Sequence, residues 1–98
     1  MNASEAHSLL GDATFLDVRE PFEWDAGHVE GSLHIPMGEM EGRWEEVPRE
    51  GRVVVVCHLG QRSALVANFL RQQGVDAHNL EGGLEAWVAD GFDLVVGA

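Results

Sequence analysis

Short apolar runs alternate along the chain with stretches whose apolar residues recur every three or four positions. Val53 to Val56 is apolar at every position, the habit of a strand covered on both faces and so of a central parallel strand. After it, Ala64 to Gln73 predicts an amphipathic helix with Leu65, Val66, Phe69 and Leu70 as its buried stripe and Gly74 past its end. Upstream, Asn2 to Leu10 predicts a short helix: Asn2 and Glu5 are spaced as a capping box, Ala6, Leu9 and Leu10 share a face, and Gly11 marks the stop. Thr14 to Val18 predicts a strand. Pro21 to Ala26 predicts a brief helix with Pro21 in its first turn and Phe22 and Ala26 toward the core. Gly27 and Gly31 bracket a turn that carries His28. Leu33 to Ile35 predicts a strand stopped by Pro36, and Met37, Met40 and Trp44 another helix face. Ala77 to Leu80 predicts the last firm strand, and Gly83 to Ala89 a helix with Leu84, Trp87 and Val88 inward. Asp93 to Val96 is a candidate edge strand.

Strand and helix in such close alternation imply βα units, hence an α/β fold with a central, mostly parallel sheet of four to five strands and helices on both faces. Right-handed crossovers gather the βα loops at the carboxyl ends of the strands. With 98 residues, the chain is expected to form one domain over positions 1–98. The 17 acidic residues face six basic ones, all arginine, for a formal charge of -11, which repels nucleic acid and anionic lipid. No membrane partner and no nucleic-acid partner is expected. One cysteine excludes an internal disulfide, no CxxC pair suggests zinc, and the first residues lack the basic and apolar regions of a leader; a reducing, cytoplasmic setting is expected.

That single cysteine, Cys57, stands where the valine strand meets the following helix, in the loop Cys57-His58-Leu59-Gly60-Gln61-Arg62-Ser63. A helix start offers unpaired N–H groups and a positive dipole end. A free thiol with a pKa of about 8.5 is only slightly ionised at neutrality. Lowering that value by two units requires about 2.7 kcal/mol of preference for the anion, and a helix end supplies about 0.3 to 1 kcal/mol. Amides curled toward the sulfur must therefore contribute most of the rest. Gly60 permits a turn at positive φ, Arg62 offers a planar anion clamp, and Ser63 offers a helix cap or a donor to a bound oxyanion. The competing reading of Cys57 as an inert core residue accounts for none of these neighbours.

The loop CHLGQRS, with Asp17-Val18-Arg19-Glu20, Gly27-His28-Val29-Glu30-Gly31-Ser32 and Leu80-Glu81-Gly82-Gly83 ahead of Trp87, resembles the rhodanese family of sulfurtransferases, over nearly the whole chain and in the family's order. The resemblance implies a single-domain rhodanese-like fold and a thiosulfate sulfurtransferase. Cys57 would be the catalytic nucleophile, taking the outer sulfur of thiosulfate as a persulfide and passing it to cyanide or a thiol acceptor. His58, Leu59, Gly60, Gln61, Arg62 and Ser63 would bind the substrate, and no metal or organic cofactor is needed. Cys57 to Arg62 is C-x4-R, one residue shorter than the C-x5-R loop of related phosphatases and arsenate reductases, and this narrower ring favours a sulfur atom. Mercaptopyruvate-using relatives typically carry small, uncharged residues where this chain has His58, Gln61 and Arg62, so the resemblance favours thiosulfate. Family members usually place a strand before the first helix, which is missing here, so the sheet is expected to be one strand short or to recruit the tail. The family's often basic second loop position is His58.

Asp17, Arg19 and His28 are expected to support the site: Asp17 with Arg19 as a buried ion pair, with substrate contact by Arg19 as the competing reading, and His28 by hydrogen bonding its turn. Trp24, Trp44 and Trp87 fit core or rim positions, and Glu39 to Glu46 a solvated helix face. The alternative function is a sulfur carrier that receives persulfide sulfur from a partner protein, with little activity on free thiosulfate. The acidic surface motivates it, since it repels small anions and suits a basic partner. A peroxide-sensing thiol is the third reading.

Overall fold

The computed structural model describes residues 1–97. Helix α1 (Ala3–His7) carries the capping box, with Asn2 Oδ1 accepting from Glu5 N–H at 2.8 Å and Glu5 Oε1 accepting from Asn2 N–H at 3.0 Å. Strand β1 (Thr14–Asp17), helix α2 (Pro21–Ala26) and strand β2 (Leu33–His34) follow. Met37, Met40 and Trp44 predict one helix face, but this stretch folds as a four-residue helix, α3 (Met40–Arg43), between two single 3₁₀ turns. Strand β3 (Arg52–Val56), helix α4 (Gln61–Gln72), strand β4 (Asp76–Asn79) and helix α5 (Gly83–Ala89) complete the order.

The strands form one parallel sheet in the order β2-β1-β3-β4, four strands rather than five. The valine run is central, paired with β1 on one side and β4 on the other. Its side chains divide by the period of two. Val53 and Val55 pack with Leu16, Met40, Val66 and Leu70 on the α3–α4 face, and Val54 and Val56 with Ala6, Phe15, Leu84 and Trp87 on the α1–α5 face. Each fully buried valine contributes about 1.5 to 3 kcal/mol.

Among the described residues the tail adds no sheet strand. Val95 instead exchanges two backbone hydrogen bonds with His28, N–H to O, at 2.8 and 2.9 Å. Four inward assignments are corrected. Phe22 is 74% exposed and Ala26 also faces solvent, Leu65 is 66% exposed, and Val88 is 53% exposed. The buried stripe of α4 is Ser63, Val66, Ala67 and Leu70, with Phe69 half-buried against it. Among the described residues no helix is long and apolar enough to cross a membrane.

Candidate active site

The carboxyl end of β3 runs directly into Cys57, and α4 begins four residues later. Gly60 precedes the helix at φ +104°, a left-handed conformation that favours glycine. This turn brings N–H groups back onto the sulfur. Gly60 N–H donates to Cys57 Sγ at 3.1 Å and Ser63 N–H at 3.4 Å, while Ser63 Oγ lies 3.2 Å from Sγ. Cys57 is only 1% exposed, so its sulfur forms the floor of the loop with amides aimed at it. Burial pushes the thiol up. The hydrogen bond of the Ser63 hydroxyl and those of the Ser63, Gly60 and Leu59 amides outweigh burial and hold Cys57 below the usual thiol range.

The N–H groups point inward because the carbonyls are held from behind. Leu84 N–H donates to the Cys57 carbonyl at 2.8 Å and Glu85 N–H to that of His58 at 3.1 Å. These are first-turn amides of α5, which have no acceptor within their own helix. The Leu80-Glu81-Gly82-Gly83 stretch thus serves the cysteine loop from the neighbouring strand. Gly83, at φ +62°, lies so close that a Cβ there would overlap the carbonyl oxygens of His58 and Cys57.

Ser63 does not cap α4. It is fully buried, inside the first turn, and its hydroxyl bridges Cys57 Sγ and Asn79 Oδ1, donating to the latter at 2.5 Å. Arg62 is also placed differently from the expected anion clamp. Its Nη1 and Nη2 donate to the two carboxylate oxygens of Glu23 at 2.7 and 2.9 Å, so α2 neutralises the guanidinium. The Arg62 hydrogen bond outweighs burial and, with the Glu20 N–H and the nearby Arg19, holds the Glu23 carboxyl at about 2, which keeps this pair ionised through mildly acid pH. His58, Leu59 and Gln61 face solvent at the rim, with His58 Nε2 3.9 Å from Glu85 Oε2.

Asp17 and Arg19 form a buried ion pair at the carboxyl end of β1. Arg19 Nε donates to Oδ1 at 3.0 Å and Nη2 to Oδ2 at 2.7 Å, and Nη2 also donates to the Gly27 carbonyl at 2.7 Å. This joins β1 to the turn after α2. His28 is buried in that turn, with Nδ1 2.9 Å from the Trp24 carbonyl and its ring stacked on Trp24 at 3.6 Å between centroids. Among the described residues His28 makes no hydrogen bond to the cysteine loop. A cleft of about 300 Å³ opens beside the loop, lined by Arg19, His58, Leu84, Glu85, Val88 and Leu94.

Two contributors escape sequence reasoning, Glu23 and Asn79. For Asn79 the signal is present: it ends β4, two residues after buried Ala77, so it faces α4 at the carboxyl edge of the sheet, beside the loop.

Residues 2–90 match the rhodanese-like domain family. In sequence the chain is 37% identical over 73 residues to "Putative sulfur carrier protein YrkF" of Bacillus subtilis (strain 168), covering 74% of this chain and 40% of that protein. It is 36% identical over 76 residues to "Uncharacterized protein YqhL" of the same organism, covering 76% of this chain and 60% of that protein. The chain thus spans less than two thirds of either relative. Among solved structures, a rhodanese-related protein from Thermoplasma volcanium superimposes with a TM-score of 0.95 at 35% identity, covering 99% of this chain and 97% of that one.

Proposed function

The chain belongs to the rhodanese-like domain family, and on that premise we propose that it carries sulfur as a persulfide on Cys57, received from one protein partner and delivered to another. The observation that carries this reading is the sulfur at the floor of the loop, with the Gly60 and Ser63 amides and the Ser63 hydroxyl converging on it. In the first half-reaction the Cys57 thiolate attacks the terminal sulfur of a donor. A new S–S bond forms, the donor's own bond to that sulfur breaks, and the leaving group departs with the electron pair. In the second, an acceptor thiolate attacks the outer sulfur of the persulfide, and Cys57 leaves as thiolate, restored.

Two features support a protein partner over free thiosulfate. Arg62, the cation expected to attract a small dianion, is paired with Glu23. Phe22, next to Glu23 in α2, and Leu59, on the loop, expose apolar side chains suited to a docked protein surface. A relative named as a sulfur carrier points the same way. Turnover of thiosulfate to cyanide or a thiol is the second reading and uses the same persulfide.

Exposure to polysulfide or thiosulfate, followed by intact-mass measurement, is expected to add one sulfur, about 32 Da, at Cys57 and to lose it to cyanide. Neither donor loading wild-type protein, or equal loading of Cys57→Ser, would overturn the assignment. Slow steady-state turnover of thiosulfate alongside rapid single-turnover delivery to a thiol favours the carrier; rapid turnover favours the enzyme.

A further inference from the structure

Ser63 Oγ holds one proton and has two partners that both compete for it. While Cys57 is a thiol, both contacts are satisfied in one direction: Sγ–H donates to Oγ, and the hydroxyl donates to Asn79 Oδ1 at 2.5 Å. Once the Sγ proton has left to solvent, the sulfur only accepts, and the hydroxyl must turn its proton to it. Asn79 Oδ1 would then face a hydroxyl lone pair at hydrogen-bond distance, which is repulsive. The asparagine has a second end. Its Nδ2 makes no hydrogen bond to protein among the described residues and is open to solvent, so a half-turn of the amide lets Nδ2–H donate to Ser63 Oγ and turns Oδ1 to solvent in its place.

We propose that Asn79 is a two-position positioning residue: its amide reverses when Cys57 loses its proton, so that Ser63 can donate to the sulfur without losing its second partner. This deepens the sulfur-carrier reading and rests on it for its biological use. Sγ bearing a second sulfur likewise has no proton to donate, so the loaded protein holds the reversed amide too. The amide orientation therefore distinguishes resting thiol from charged or loaded sulfur. A carboxylate or an aliphatic side chain at position 79 cannot serve both states.

The charged groups around the loop are Arg62 with Glu23, Asp17 with Arg19, and His58 beside Glu85, with His78 bonded to Asp76 on β4. Among the described residues none hydrogen-bonds the Ser63 hydroxyl or the Asn79 amide. The switch is thus confined to three side chains.

The test is a pH titration of ¹⁵N-labelled protein that follows the Asn79 side-chain amide resonances, with Cys57 ionisation read in parallel from thiolate absorbance. The Asn79 resonances are expected to move with the same midpoint as Cys57 and to stay still in Ser63→Ala and in Cys57→Ala. Asn79→Asp separates hydrogen bonding from charge. It is expected to raise the Cys57 midpoint more when Ser63 is present than in the Ser63→Ala background, by about one pH unit, the worth of a hydrogen bond to a charged group. Resonances that do not follow Cys57, that follow it equally without Ser63, or an Asn79→Asp effect independent of Ser63 would overturn the switch. If Asn79 follows Cys57 but no donor loads the sulfur, the switch stands and the carrier function falls. If sulfur loads while Asn79 stays fixed, the reverse holds.

Discussion

At Cys57 the outcome is decided by opposed contributions: burial favours the neutral thiol, and donors from Ser63, Gly60 and Leu59 together outweigh it and favour the anion. Arg62 would add to the second group if it were free. Glu23→Gln tests this cleanly, because glutamine keeps an oxygen for the Glu20 N–H that now donates to Glu23 Oε1 at 3.0 Å while removing the charge that neutralises Arg62. An uncompensated charge several ångströms from the sulfur at a partly solvated site is worth about 1 kcal/mol, or about fivefold. Glu23→Gln is therefore expected to lower the pH midpoint of Cys57 alkylation and raise kcat/KM for thiosulfate about fivefold. If neither changes, Arg62 has no part in anion capture. Residues of the loop are legible in the sequence because cysteine, glycine and serine stand together at a strand-to-helix junction. Glu23 and Asn79 lie 39 and 16 positions from their partners; no local pattern connects Glu23 to Arg62, and for Asn79 only its register with Ala77 places it on the α4 face.

Among the elements, α5 has a role beyond packing, since its first amides hold the loop carbonyls. Gly83→Ala drives a methyl group into two backbone oxygens that have nowhere to move. A loss of about 2 kcal/mol or more is expected from urea denaturation, a cost typical of overpacking, and the Cys57 alkylation midpoint is expected to rise as the loop shifts. Gly42→Ala, in open space on α3, is the control and should neither lower stability nor move the midpoint. A Gly83→Ala protein with wild-type stability and thiol acidity would show that α5 does not brace the loop. The boundaries of α2 and α5 follow directly from Pro21, Gly83 and the apolar spacing, yet the face each helix buries is harder to read. In α4 the true stripe includes polar Ser63 and small Ala67, so Leu65 draws the apparent face away from it. In α2 the orientation follows Glu23 binding Arg62 and Trp24 stacking with His28 and His34, not apolar content. Four parallel strands are legible because the period-two and every-position apolar patterns survive even in short runs.

Over the whole molecule the charge of -11 acts at long range on whatever approaches the loop. Persulfide delivery to a cationic thiol such as cysteamine is expected to be about tenfold faster than to anionic thioglycolate at low ionic strength, after correction for thiol acidity, and the ratio should collapse toward unity in about 0.5 M salt. A salt-independent ratio would mean that only local contacts choose the acceptor. The sulfur's surroundings come from the end of β3, the first turn of α4, the last residue of β4 and the start of α5, brought together only in the finished fold. An incompletely folded copy therefore retains a thiol of ordinary acidity, only slightly ionised at neutral pH. On the proposed persulfide reading, quality control is inherent in this arrangement: a chain that has not matured is charged with sulfur more slowly than a folded one, so defective copies are disfavoured without any proofreading partner.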